Sequence, residues 1–119
     1  MEEIDETGGV KKTSLGLEEN IEGALAYLLG PVTGIALLLL EKESKFVRFH
    51  AMQSTIIFLG IIVLQIILGI IPFLGWLLAV LLNLLGLVVW IVGMLKAYQG
   101  ELYKFPIVGD IAEGQLEKL

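Results

Sequence analysis

From Ala51 to Leu95 the chain runs 45 residues without an Asp, Glu, Lys, Arg or His. A bilayer core about 30 Å thick takes roughly 20 helical residues, so this stretch is long enough to cross twice. The dividing point is Ile71-Pro72-Phe73-Leu74-Gly75-Trp76, where Pro and Gly punctuate a turn and Trp76 suits a membrane interface. Two spans are expected, at about 49–71 and 74–95, joined as a tight helical hairpin.

Composition agrees. Hydrophobic residues make up 56% of the 119 and charged residues 18%, against about 25% charged in a typical soluble chain. A soluble domain of this size has too little interior to hide so much apolar surface. An acidic net charge of −5 excludes the basic stripe that nucleic acid requires. The absence of Cys removes disulfides, thiolate nucleophiles and Cys-based metal sites.

A third apolar run covers Ala24–Leu40, reaching back to Ile21. It is expected to cross as a span at about 22–40, kinked near Pro31, whose ring removes a helical hydrogen bond. The freed carbonyl then needs a partner, such as Thr33 or a neighbouring helix. The alternative for so short a run is a re-entrant segment. The expected fold is all-α: an integral membrane three-helix bundle with a kinked first helix, followed by a short C-terminal amphipathic helix. That helix is expected to start from a capping box at Asp110 and Glu113. Residues 1–20, which hold Lys11 and Lys12 among many acids, read as an acidic mobile tail. Residues 21–99 form the membrane domain, and 100–119 a polar tail that begins at a helix stop, Gly100. Ser44 is a natural N-cap for the second span.

With three spans, the loop at Glu41–Lys45 and the C-terminal tail share one side with Lys42, Lys45, Arg48, Lys96, Lys104 and Lys118. The other side keeps Lys11 and Lys12. The positive-inside rule then puts the C-terminal tail in the cytoplasm and the N-terminal tail outside.

Two stretches carry a family resemblance. One is Lys42-x-x-Lys45-Phe46-Val47-Arg48-Phe49-His50-Ala51-x-Gln53-Ser54. The other runs from Trp90 through Lys96-Ala97-Tyr98-Gln99-Gly100-Glu101-x-Tyr103-Lys104-x-Pro106. With Tyr27-Leu28-x-Gly30-Pro31, they resemble an uncharacterised family of small archaeal and bacterial membrane proteins. That family is grouped distantly with the small membrane subunit of the chloroplast inner-envelope protein-import translocon. The resemblance implies the membrane fold and assigns no activity.

The residues that stand out are polar. His50, Gln53 and Ser54 share a helix face where the second span meets the interface. They read either as a polar knot that binds a lipid headgroup or partner, or as hydrogen bonds that fix the start of the helix. Lys42, Lys45 and Arg48 form a basic cluster suited to anionic headgroups, or one that only sets topology. Tyr98 fits an interfacial belt on the same side. Gln65 and Asn83 lie at similar depth across the Pro72 turn, and an interhelical hydrogen bond between them is expected. Gly30 and Gly34 have the spacing of a close-packing motif, and Asn83, Gly86, Trp90, Gly93 and Ala97 form a packing stripe on the third helix.

No nucleophile–base pair, metal cluster or phosphate-cradling loop is present, so the chain reads as a non-enzyme without a cofactor. The expected function is a structural or interaction module with a basic-aromatic cytoplasmic face. Its partners would be membrane lipids, further copies of itself or other membrane proteins. A helper or subunit in membrane protein translocation or insertion, and an oligomeric small-solute or ion channel or transporter, are the alternatives.

Overall fold

A computed structural model describes residues 13–118 and contains five helices: α1 (Glu19–Leu28), α2 (Pro31–Leu40), α3 (Lys45–Ile70), α4 (Leu74–Tyr98) and α5 (Val108–Glu117). Residues 1–12, with Lys11 and Lys12, lie outside the described residues.

Helices α3 and α4, of 26 and 25 residues, are long and apolar enough to cross a membrane. At 1.5 Å per residue each runs just under 40 Å. Only 11% of the most apolar window of either helix is buried inside the chain. A soluble core helix would be covered by its own protein. Here Ile62, Val63, Ile66, Ile67, Ile70, Leu77, Val80, Leu84 and Val88 all face outward. The turn between the helices comes where the sequence places it. Ile71 ends α3, and Gly75 lets the first turn of α4 pass against the Leu68 carbonyl, where a side chain would collide.

The first apolar run departs from expectation. It is two ten-residue helices, not one kinked span over 22–40. Proline explains the break: Pro31 opens α2, where a missing N–H costs nothing. Gly30 before it takes φ +62°, a region that glycine enters freely. The chain therefore reverses instead of bending. Glu41, at the end of α2, lies beside Glu22, near the start of α1. Each arm is about 15 Å long, half a bilayer core, so the run forms a hairpin that returns to the end it started from. The re-entrant alternative describes this geometry, and the described helices give two spanning lengths where three were expected.

The hairpin tip satisfies its own backbone. Thr33 Oγ1 donates to the Ala26 carbonyl (3.3 Å) and accepts from Leu29 N (3.2 Å). Trp90 Nε1 donates to the Leu28 carbonyl (3.0 Å), and Ser54 Oγ to the Gly30 carbonyl (3.3 Å). This is how a broken helix is tolerated in an apolar setting.

The reversal also moves the N-terminal segment. Ser14 N donates to Glu41 (3.2 Å), and Asn20 Nδ2 donates to the Tyr98 carbonyl (3.0 Å). Residues 13–20 thus lie at the same end as the start of α3 and the end of α4, not at the Pro72 end. Thr13, Ser14 and Asn20 are also bonded into the fold, and the rest of the expected tail, residues 1–12, lies outside the described residues. The packed core sits at this polar end and is built from Ala26, Tyr27, Leu37, Phe46, Val47, Ala51 and Ala97.

Gly100 stops α4 with φ +80°. Its N–H bonds the Ala97 carbonyl (3.0 Å), and Glu101 N the Lys96 carbonyl (3.0 Å), the paired bonds of a glycine-terminated helix end. The short C-terminal helix is present as α5, but without the expected capping box. Ile107 occupies the cap position, and Asp110 instead accepts from Lys104 Nζ (3.4 Å).

Candidate functional site

Ser44 begins α3 by accepting from Val47 N (3.2 Å), and the next turns carry the polar face read from the sequence. His50 and Gln53 are both fully buried. His50 Nε2 lies 2.8 Å from the Glu101 carbonyl, an acceptor, so Nε2 carries the hydrogen. Nδ1 then accepts from the Tyr27 hydroxyl at 2.8 Å. Gln53 Nε2 donates to the Tyr27 hydroxyl (2.9 Å) and the Tyr103 carbonyl (2.9 Å), while Oε1 accepts from Phe105 N (2.9 Å). Phe46 and Phe49 pack edge-on against the imidazole. Every polar atom of both side chains is used inside the protein.

That corrects one reading and favours the other. Neither His50 nor Gln53 can meet a headgroup or a partner; together they clamp the strap Glu101–Phe105 onto α3. Tyr27 is the shared centre of the clamp; the sequence marked it only as part of the family-like Tyr27-Leu28-x-Gly30-Pro31 stretch, not as a partner of His50. It lies 23 residues from His50 and meets it only because the chain reverses at Gly30.

The remaining members of the expected basic-aromatic face behave differently. Lys42 and Lys45 are exposed, while Arg48 is half-buried. Arg48 Nη1 donates to the Leu38 (3.2 Å) and Glu41 (2.7 Å) carbonyls, closing the end of α2. The Tyr98 ring is exposed. Around the three cations opens a cleft of about 1030 Å³ between α2, the start of α3 and α5. Its walls are Leu38, Leu39, Phe46, Phe49, Leu102 and Leu116, and its rim adds Glu43, Glu113 and Glu117. Helix α5 forms one wall by burying Ala112 beside Phe49 and Met52. Lys104 bridges Glu113 (3.0 Å) and Asp110 (3.4 Å), and the bond to Glu113 is the first cause of its raised pKa.

The helix-packing residues divide as well. Gly30 is the turn, not half of a helical pair. At Gly34 a Cβ would stand 2.6 Å from Thr55 Oγ1 and 3.1 Å from the Ala51 carbonyl, so α2 rides close on α3. On α4, Gly93 receives the Tyr27 ring, and Trp90 holds the hairpin tip. Gly86 and Asn83 continue the stripe beyond that tip, beside Phe58 and Ile61. Gln65 and Asn83 do not bond as expected. Gln65 Nε2 donates to the Ala79 carbonyl (3.1 Å), one helical turn from Asn83, whose side chain is exposed. A backbone carbonyl in reach satisfies the amide as well as a second amide does.

Sequence reading also missed the acids. Glu19, Glu22 and Glu41 are buried at the open end of the hairpin, and Ser44 Oγ donates to Glu19 (3.0 Å). The position of Glu22, among the first residues of an apolar run, was the one available hint.

Known proteins give the chain a context. Residues 18–112 match the profile of the MamF/MmsF family, described as the magnetosome magnetite crystal formation protein family. A UPF0132 membrane protein of Methanocaldococcus jannaschii is 63% identical over 102 residues, 86% of this chain and 92% of that protein. A second from the same organism is 53% identical over 104 residues, 87% of this chain and 74% of that protein. A UPF0132 membrane protein of Archaeoglobus fulgidus is 56% identical over 100 residues, 84% of this chain and 97% of that protein. None of these names the chloroplast import translocon, so that part of the resemblance gains no support. No solved structure matches the chain.

Proposed function

The chain belongs to the magnetosome magnetite crystal formation protein family, and on that premise we propose that it is an integral membrane interaction module whose polar end docks anionic membrane lipid. The cleft between α2, α3 and α5 carries this reading. Lys42, Lys45 and Arg48 stand at its rim among Glu43, Glu113 and Glu117, and leucine and phenylalanine line its walls, polar outside and apolar within as in an amphiphile. Lys42 and Lys45, whose side chains are exposed, are the cations offered to a phosphate, at roughly 1 kcal/mol per charge near a surface. Leu38, Leu39 and Leu102 offer the apolar track for a chain. Arg48, already bonded to two carbonyls, shapes the cleft more than it binds.

In this reading α3 and α4 cross the membrane and the α1–α2 hairpin enters half its depth. Lys42, Lys45, Arg48, Lys96, Lys104 and Lys118 all belong to the polar end, which therefore faces the cytoplasm. The N-terminal segment from Thr13 and the C-terminal tail share that side. What carries over from the family and its relatives is the membrane setting.

The test is lipid retention. Released from vesicles of mixed phosphatidylglycerol and phosphatidylcholine, the protein should keep phosphatidylglycerol in native mass spectrometry. The double variant Lys42→Gln/Lys45→Gln should retain about thirtyfold less, because two charges at roughly 1 kcal/mol each amount to about 2 kcal/mol. Equal retention by both proteins overturns the proposal.

Self-association is a second reading, favoured by Asn83. An exposed amide near mid-span gains from a partner in apolar surroundings, and an amide complements itself by both donating and accepting.

A further inference from the structure

The open end of the α1–α2 hairpin holds two wholly buried carboxyl groups, Glu22 and Glu41. Glu41 Oε2 accepts from three backbone N–H groups, those of Glu43 (2.9 Å), Ser44 (2.9 Å) and Ser14 (3.2 Å). Glu22 Oε1 accepts from Thr13 Oγ1 (2.6 Å). One oxygen of each group, Glu22 Oε2 and Glu41 Oε1, is buried without a donor among the described residues. The two carboxyl groups lie against each other, each acting on the other's ionisation. Two facing carboxylates have no hydrogen to share, so a hydrogen bond across the pair requires a proton between them.

The donors decide which group carries it. Three N–H groups stabilise a charge on Glu41, while Glu22 has a single hydroxyl donor. Among the described residues, the following charged groups surround the pair. Glu19 faces it from α1, with Ser44 Oγ on its carboxylate. From α3, Arg48 bonds the Glu41 backbone carbonyl. Lys42 and Glu43 flank Glu41 with exposed side chains, and the described N-terminal segment brings the Thr13 hydroxyl and the Ser14 amide.

We propose that Glu22 and Glu41 form a proton-binding site that fastens residues 13–17 across the open end of the re-entrant hairpin. The segment is held at both carboxyls, through Thr13 on Glu22 and Ser14 on Glu41, and its own turn closes by Thr13 N to the Leu17 carbonyl (2.9 Å). Loss of the proton leaves two adjacent buried carboxylates, and the cheapest relief is to open the segment and admit water. The site stands whether or not the neighbouring cleft takes lipid.

The sign follows from the two groups. Burial, and then the bond to Glu41, push Glu22 up to about 7 from 4.5. A raised carboxyl stabilises the closed form fully below 4.5 and loses that contribution as pH rises through about 7. For Glu41, burial acts upward, but the hydrogen bonds from Glu22, Ser44, Ser14 and Glu43 outweigh it and hold the group at about 2. Its contribution is present above 4.5 and fades only toward 2. The closed form is favoured from about pH 4.5 to 6 and opens above 7. Among the described residues no group of three or more His, Cys, Asp or Glu side chains is placed to hold a metal ion, which favours the proton as occupant.

The chain has no cysteine, so a nitroxide at Leu15→Cys reports on the segment alone. In the full chain in lipid nanodiscs, the label should be restricted at pH 5–6 and mobile above 7. The closed-to-open ratio should fall about tenfold per pH unit, as one proton requires. In the Glu22→Gln background the label should stay restricted to pH 9, because the amide donates as the protonated acid does. A control label at the exposed Ile107 should not respond. A pH-independent label at Leu15, or an unchanged transition in Glu22→Gln, overturns the proposal. Release of the label by chelator at pH 5.5 also overturns it and makes a metal ion the occupant. Should Glu22→Gln fail to fold, infrared spectroscopy of the wild type decides. A protonated-carboxyl band at pH 5 that vanishes by pH 8 supports the site, and its absence at pH 5 overturns it.

Discussion

Gln53 holds three parts of the chain with one amide: the Tyr27 hydroxyl, the Tyr103 carbonyl and the Phe105 N–H. Gln53→Leu fills similar space but strands the last two in a buried site, each costing about 1–3 kcal/mol. We expect about 2–5 kcal/mol of lost stability in unfolding of the detergent-solubilised protein, with hydrogen exchange at Phe105 rising first. Tyr27→Phe should cost less, about 1–2 kcal/mol, because Gln53 keeps its two backbone partners while His50 Nδ1 loses its donor. If the two variants proved equally mild, the strap Glu101–Phe105 would be held by something other than this clamp. Part of it was legible in the sequence. His50 and Gln53 stood out as polar residues one helical turn apart at the rim of an apolar helix. Their partners were not, because three of them are backbone groups of an extended segment with no pattern of its own. The fourth, Tyr27, depends on a chain reversal.

At the scale of elements, length decided what composition left ambiguous. The uncharged stretch of 45 residues gave the α3–α4 hairpin and its turn, since Pro72 and Gly75 fall midway along it. The shorter run was misread because a proline inside a helix and a proline opening one look alike. Gly30 before it, free to take positive φ, favours the second. The glycines of α4 offer a paired test of how the hairpin docks. At Gly93 an added Cβ would stand 2.6–2.7 Å from Tyr27 ring atoms, and that ring is pinned by His50 and Gln53. Gly93→Ala should therefore destabilise by about 1–3 kcal/mol, as overpacking does. Gly86 meets only the Ile61 Cδ1 tip at 3.3 Å, which can rotate away. Gly86→Ala should be neutral, or gain up to about 1 kcal/mol from helix propensity. Thermal unfolding of the two variants side by side checks the contrast; an equal response would mean that α1 does not press on α4 at Gly93.

For the whole molecule, the proposed half-depth hairpin would change the topology as well as the span count. With three spans the tails would lie on opposite sides, and the cations would divide six to two. With two spans and a returning hairpin, Thr13, Ser14, the loop after α2, the end of α4 and α5 meet at one end. The six basic residues of 42–118 stand there, while the Pro72 turn carries no charge. The positive-inside rule is then satisfied without exception among the described residues. The Cys-free chain allows a direct check by single cysteines at Leu15, Phe73 and Gly114, all exposed or unobstructed. In intact cells a membrane-impermeant maleimide should label Phe73→Cys alone, and Leu15→Cys and Gly114→Cys should react only after lysis. Labelling of Leu15→Cys in intact cells, with Gly114→Cys protected, would restore a third crossing. It would mean that the first apolar run opens into a full span in the membrane, undoing the contacts of Tyr27 with His50 and Gln53. Because those contacts bind the strap to α3, that outcome predicts Gln53→Leu to be mild, so topology and the clamp stand or fall together.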